Sequence, residues 1–325
     1  MSQSFSDHDT AAIRKYFNTY PGIDTVPGAK RHLFEILLNY NTINYRLTND
    51  RGDTPLTYAC TLLHGLPIVT ILLERYKPQD DQDNPIKKIG IDINATNNHG
   101  NTALINACIY DRVSIVELLL KQPDIKVNVK CNDTFDGNTA LMYACGNENV
   151  EIIRLLLNHS RIDVNQGNQF NNTPLMFACN HNHLEIVTLL MEKPDIDVNI
   201  QDVDGITALM ENVAAQVEHV DHIDDCVSIL SLLLSNEDID ILIKNSEGIN
   251  ALDLAVLIQA NEPPHPMRQN IINLLATKIQ PVDKHYLKKH TKIGAGNVFK
   301  KGRKSKKRRR RTRNKITQIN SRKKK

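Results

Sequence analysis

Thr173-Pro174-Leu175-Met176-Phe177-Ala178-Cys179, then Glu185-Ile186-Val187-Thr188-Leu189-Leu190-Met191, then Ile196-Asp197-Val198-Asn199 and Asp202 to Gly205, is the stretch on which the fold turns. Thr173 can cap a short helix by accepting a backbone N–H, and Pro174 falls at the first helical position, where no donor is needed. In the second segment the apolar residues recur at i, i+3 and i+4, which makes one wide face of a helix. The last segment ends in a turn whose glycine readily takes positive φ.

The same order of parts recurs along the chain. Thr54-Pro55-Leu56 precedes Ala59-Cys60, Thr102-Ala103-Leu104 precedes Ala107-Cys108, and Thr139-Ala140-Leu141 precedes Ala144-Cys145. Looser copies begin at Thr207-Ala208-Leu209 and at Asn250-Ala251-Leu252 with Ala255. Successive copies start 48, 37, 34, 34 and 43 residues apart. Second helices are expected at Ser114–Leu120 and Glu151–Leu157, and Ile91-Asp92-Ile93-Asn94 and Ile162-Asp163-Val164-Asn165 repeat the Ile-Asp-Val-Asn element. Small Ala and Cys let paired helices approach, and the turn between units projects as a finger.

This ordered, in-register set resembles the ankyrin-repeat family across residues 29–280, whose period is about 33 residues. The Asn- and Ile-rich style resembles the short ankyrin proteins of giant DNA viruses and intracellular bacteria. The resemblance implies an all-α solenoid of stacked helix–turn–helix units with projecting turns. About six repeats are expected within 29–280, after an N-terminal segment 1–28 carrying a degenerate capping helix. Residues 281–325 are expected to form a disordered Lys/Arg-rich tail. Ala11–Tyr20 and Lys30–Leu38 read as one degenerate terminal pair, Ala251–Gln259 and Met267–Thr277 as the other; such closing units keep an array soluble. The chain departs from the family at one position. Where a histidine commonly follows Thr-Pro-Leu, it carries Thr57, Ile105, Met142, Met176, Met210 and Asp253. The Thr–His hydrogen bond is then missing, and apolar contact is expected in its place.

Composition agrees with closely packed helices, since aromatics make up only 5% and tryptophan is absent. No run approaches the ~18 apolar residues of a membrane span. The N-terminus is polar rather than signal-like. A reducing compartment is expected, with the six cysteines as small buried apolar groups. Net charge is +3, but residues 284–325 hold 20 Lys and Arg and no acid. Residues 1–283 therefore carry 20 basic against 37 acidic groups, a net −17. The basic run comprises Lys300, Lys301, Arg303, Lys304, Lys306, Lys307, Arg308, Arg309, Arg310, Arg311, Arg313 and Lys315. So many like charges resist compaction. Nuclear import, nucleic-acid contact, membrane contact and a clasp on the acidic body all compete for it; short Lys/Arg clusters fit the first two best. The nucleus is accordingly favoured over the cytoplasm.

Chemistry finds little support. His181-Asn182-His183 spells the core of a nuclease motif, yet Asn182 fits a left-handed turn and His183 the position before a second helix. His219 and His222, with nearby carboxylates, could hold a divalent metal, but no second ligand cluster follows. A solvated loop or a helix extension is the expectation for Glu218–Cys226. Cys60, Cys108, Cys145 and Cys179 recur once per unit, too far apart to share one ion. No phosphate loop or nucleophile elbow is present; Ile293 to Gly296 lacks a preceding strand. The expectation is a non-enzymatic, cofactor-free monomer that binds another protein. The alternative is a nucleic-acid-associated protein whose tail holds phosphate while its array recruits a protein. In the family, fingertips and first-helix ends commonly bind partners, which points to Arg51, Asp53, His99, Asn101, Tyr110, Phe135, Asp136, Asn138, Gln169, Phe170, Asn172, His181 and Asp204. Phe135 and Phe170 stand out, because aromatic side chains often anchor interfaces; the competing reading tucks them against their own fingers.

Overall fold

The structure, a computed structural model, describes residues 48–74, 91–131, 136–263 and 265–278. The expected helices at 11–20 and 30–38, Phe135 and the basic segment lie outside the described residues. Within them the chain is all-α, with no strand. The helices follow one another two to a repeat along the sequence: α1 (Pro55–Ala59) and α2 (Leu66–Glu74), α3 (Ala103–Ile109) and α4 (Val113–Leu120), and α5 (Ala140–Gly146) and α6 (Val150–Leu157). There follow α7 (Pro174–Asn180) with α8 (Leu184–Met191), α9 (Ala208–Glu218) with α10 (Ile223–Ser235), and α11 (Ala251–Asn261) with α12 (Pro266–Lys278). The fold is that of an all-α repeat solenoid.

The chain divides into two compact units, residues 1–144 with 158–162 and residues 145–157 with 163–325. In the first, α1 packs on α2 and α3, α3 on α4, and α2 on α4. Leu56, Leu72, Leu104, Val116 and Leu119 are buried there. In the second unit α8 packs on α6, α7 and α10, α9 on α7, α10 and α11, and α12 on α10 and α11. Ile153, Leu156, Leu190, Leu230 and Leu275 fill its interior. Burial of each such side chain stabilises by about 1.5–3 kcal/mol. Ala59, Ala107, Ala144, Ala178 and Ala255 are buried at the same register, where a larger group would hold the paired helices apart.

All six first helices begin as the sequence predicts. Thr54, Thr102, Thr139, Thr173 and Thr207 each accept, through Oγ1, the backbone N–H three residues on, at 3.2–3.4 Å. Asn250 does the same through Oδ1 at 2.9 Å. The replaced histidine is a partial correction. Apolar contact does not simply take its place, because Met142 and Met176 each turn back a thioether sulfur that accepts the N–H of Thr139 or Thr173, at 3.5 and 3.4 Å. Asp253 Oδ2 accepts the Asn250 N–H at 3.4 Å, and the Thr57 hydroxyl donates to the Thr54 carbonyl at 3.0 Å. A thioether is a weak acceptor, but it gives the backbone N–H of the capping Thr a partner.

The fifth pair departs from the four before it, and the sixth shares its longer helices. The fifth pair's insertion is a helix extension: α9 has 11 residues where α3 has seven, and α10 has 13 where α4 has eight. A short 3₁₀ turn, Val220–His222, joins them. Asn212 stands where the other five first helices carry Ala. It is buried, and its Nδ2 and the Gln216 Oε1 one turn later have no hydrogen-bond partner.

Candidate functional site

Five fingers described in full are each closed by one side chain. The carbonyl or carboxylate oxygen of Asn49, Asn97, Asn168, Asp202 or Asn245 accepts two backbone N–H groups, those two and four residues on. Asn97 Oδ1 takes His99 and Asn101 at 3.0 Å each; Asp202 Oδ1 takes Asp204 at 2.9 Å and Ile206 at 2.7 Å. Gly52, Gly100, Gly205 and Gly248 follow with φ of 73–76°. Asn171 fills that place in the fourth repeat at φ 59°, which asparagine tolerates better than most residues. Fingers then join tip to tip. Asn98 N donates to Arg51 O in the first unit, and Val203 N to Phe170 O and Ser246 N to Asp204 O in the second, at 2.9–3.0 Å.

A second set of bonds runs along the loops that follow the second helices, and sequence reasoning assigned it no role. Asn94 donates from Nδ2 to Asp124 O at 2.8 Å and accepts at Oδ1 from Lys126 N at 2.8 Å. Asn165 treats Asp195 O and Asp197 N alike, at 2.6 and 2.9 Å, and Asn199 treats Asp238 O and Asp240 N, at 2.6 and 2.8 Å. The final Asn of each Ile-Asp-Val-Asn element is thus a clamp on the next repeat. Leu242, half exposed, occupies the equivalent position after Asp240, and the series stops there.

Of the thirteen expected interface positions, Phe135 lies outside the described residues and the other twelve divide by burial. Arg51, His99, Gln169 and Asp204 are exposed; Asn101, Tyr110, Phe170, Asn172 and His181 are half-buried. Asp53, Asp136 and Asn138 are buried and leave the surface. Asp53 is consumed by bracing: its carboxylate accepts from Asn49 Nδ2 at 3.3 Å and from Asn97 Nδ2 of the next finger at 2.7 Å. The Asn138 carbonyl accepts the Cys131 N–H at 3.1 Å across a finger three residues longer than that between Asn97 and Asn101. Phe170 and Asp204 belong to successive fingers of the second unit. His181 stands apart from them at the end of α7.

There His181 lies in a stack of three rings. Phe177 and His181 have centroids 6.5 Å apart with planes at 11°, and His181 and His183 are 5.7 Å apart at 9°. His183 Nε2 reaches Glu148 Oε1 at 3.3 Å. Asn182, between the two imidazoles, takes the expected left-handed turn at φ 58° and donates to the His222 carbonyl at 2.9 Å. Nothing in this geometry resembles a nuclease site. Phe177 escaped the sequence reading, although it stands four residues after its capping Thr, like Tyr58 and Tyr143; aligning the repeats by their caps exposes that row. His219 caps the end of α9, its Nε2 3.2 Å from the Asn180 carbonyl. Among the described residues no three His, Cys, Asp or Glu side chains are grouped to hold a metal ion.

All six cysteines are buried free thiols. Burial pushes the Cys145 thiol up to about 12 and that of Cys60 further. Burial also raises Cys179 well above the ordinary thiol range, with the Glu211 carboxylate and Cys226 adding to it. Groups so far from ionising are packing elements, not nucleophiles.

A sequence model of the ankyrin repeats matches in three copies, over residues 28–131 and 125–202. The chain belongs to the ankyrin repeat family. No curated protein sequence matches it. Among solved structures it is similar to an ankyrin repeat domain from Acinetobacter baumannii, with 22% identity, 69% of this chain and 96% of that one covered, and a TM-score of 0.53. It is similar too to the ankyrin repeat domain of Bcl-3, a member of the IkappaB family, with 21% identity, 76% and 92% covered, and a TM-score of 0.54. At such identities the likeness is one of fold. Ankyrin repeats mark this array as a protein–protein interaction domain, and the fold is generally a non-enzymatic scaffold. No described helix is long and apolar enough to cross a membrane.

Proposed function

We propose that this ankyrin array is a monomeric adaptor or scaffold that binds one protein partner through its fingertips and first-helix ends, and that its basic tail is a nuclear-import signal. The observation that carries the reading is that exposed Arg51, His99, Gln169 and Asp204 ride on turns held by two side-chain bonds each, so little order remains to be imposed on binding. Half-buried Phe170 on its finger and His181 at the end of α7 add larger contact groups in the second unit. Phe170→Ala with His181→Ala should weaken capture of the principal partner at least about tenfold, as hot-spot loss does, with an unchanged melting temperature. Early melting with normal capture would make both rings structural.

The tail reading rests on Lys306 to Arg311, six consecutive basic residues. A reporter fused to residues 284–325 should enter the nucleus, and neutralising those six should keep it out. The second reading, phosphate binding by the tail, draws on the same charge. It requires affinity for nucleic acid that falls steeply with salt, which binding through the array would not show.

A further inference from the structure

The second unit is far more acidic than its fold needs. Its residues 145–157 and 163–278 hold 20 Asp and Glu against five Lys and Arg. Three of those cations are already committed. Arg154 pairs with Glu185 at 3.2 Å, Lys193 Nζ donates to the Leu157 carbonyl at 3.0 Å, and buried Arg268 donates to the Pro263 carbonyl. The exposed acids include one regular series: Asp163, Asp195, Asp197, Glu237, Asp238 and Asp240, on the loops that Asn165 and Asn199 clamp into successive rungs. Asp163, Asp197 and Asp240 each fix one oxygen on the N–H two residues on, at 2.8–2.9 Å, so the carboxylates keep a common register. Like charges so placed repel one another, which makes a cationic occupant favourable.

The same chain supplies a segment of matching sign and spacing. Stacked helices stand roughly 8–10 Å apart, and an extended chain advances about 3.3 Å per residue, so every third residue of an extended segment meets a new rung. Lys301, Lys304, Lys307, Arg310 and Arg313 are basic at that interval without a break, and Lys300, Arg303, Lys306 and Arg309 repeat it one residue earlier. Residues 279–299 separate this segment from the end of α12, which packs on α10 just ahead of the Glu237 rung. That length can span up to roughly 70 Å. A tether of such reach gives a local concentration of order millimolar, ahead of most partners in solution.

We propose that residues 300–315 dock, extended, along the acidic rungs Asp163–Asp240 of their own array, and that this intramolecular contact competes with every other use of the tail. It stands whether or not the fingertips bind a partner, and it is read without import or capture. The full-length protein is digested with trypsin and the rate of cutting within 300–315 is followed. Cutting should be slow near 0.1 M salt and several-fold faster near 1 M, as the screening length falls from about 10 Å to about 3 Å. Neutralising Asp195→Asn, Glu237→Gln and Asp238→Asn together should abolish the slow cutting at low salt. Those side chains make no hydrogen bond among the described residues, so the array should stay folded, as an unchanged melting temperature will verify. Neutralising Glu151→Gln, Asp221→Asn and Glu247→Gln, equally exposed but off the rungs, should leave it intact. A second variant cannot unfold the array: with Lys304, Lys307, Arg310 and Arg313 all changed to Glu, carbodiimide cross-links from Lys300, Lys301 and Lys306 to the rungs should be lost. Equal acceleration by the two neutralised triplets would reduce the contact to unspecific attraction and overturn the proposal. So would protection that vanishes on dilution at constant salt, since the occupant would then be a second copy.

Discussion

The loops after the second helices of the two units are built alike and charged differently. In the first unit this row reads Asp92, Asp124, Lys126 and Arg161, cations among acids; in the second the exposed acids of the row are Asp163, Asp195, Asp197, Glu237, Asp238 and Asp240. The described residues of the first unit hold eight acids and six bases, nearly balanced, whereas those of the second hold 20 acids and five bases. The asparagine clamps bond the backbone of the next loop and leave its side chains unspecified. Stability therefore resides in asparagine, apolar stripe and cap, while the intervening positions can take any charge without changing the scaffold. That separation is why one architecture can serve unrelated partners.

The comparison breaks first if the two units do not share a core logic. Leu119→Ala in the first unit and Leu156→Ala in the second, both fully buried, should each cost about 2–5 kcal/mol by chemical denaturation. Leu189→Ala, slightly more open, should fall at the low end. His99→Ala should stay within about 0.5 kcal/mol. Similar small effects at all four sites would mean that the register of buried faces is wrong.

The clamps offer a finer test. Asn94→Ala in the first unit and Asn199→Ala in the second each remove two inter-repeat hydrogen bonds at exposed positions. About 1–2 kcal/mol is expected from either, and a marked inequality would show that the surrounding charge does bear on the scaffold. Asn212→Ala should act in the opposite sense. It removes a buried amide group without a partner and restores the residue found in the other five first helices, so a gain of about 1 kcal/mol is expected; a loss would show that the larger side chain fills space the helices need.

Alkaline pH separates packing thiols from reactive ones. The Cys145 and Cys226 thiols ionise near 12 in the folded chain, against 9.0 for an unperturbed thiol. The unfolded chain then loses protons first, binds fewer of them, and stability falls as pH rises from about 9 toward 12. Melting temperatures flat across that window would contradict the burial of the thiols. The smallest effect belongs to the sulfur caps: Met176→Leu should cost only about 0.5 kcal/mol, the scale of a weak hydrogen bond.

Much of this architecture was legible in the sequence because each part carries its own local signal. The capping Thr, the i, i+3, i+4 stripe and the turn glycine act within a few residues of themselves, and each falls where the pattern placed it. The extension of α9 and α10 was legible only as one of two outcomes, since His219 to Asp225 suits a loop as well as a helix start. What escaped was non-local. Nothing near Asn199 reveals that its amide meets a backbone some forty residues on, or that Asp53 would be drawn inside by Asn97. The sulfur of Met176 escaped for another reason, because the reading weighed methionine as an apolar group and not as an acceptor.

Leu242 carries a consequence for how such a protein can lengthen. An internal unit copied by duplication brings both halves of its joint, the amide that reaches forward and the backbone that receives it. The unit that follows Leu242, α11 with α12, meets there a side chain with neither donor nor acceptor, and is held instead by helix contact and by the finger bond from Ser246 N to Asp204 O. Growth by tandem copying is thus favoured where the clamping asparagine is kept and penalised after Leu242.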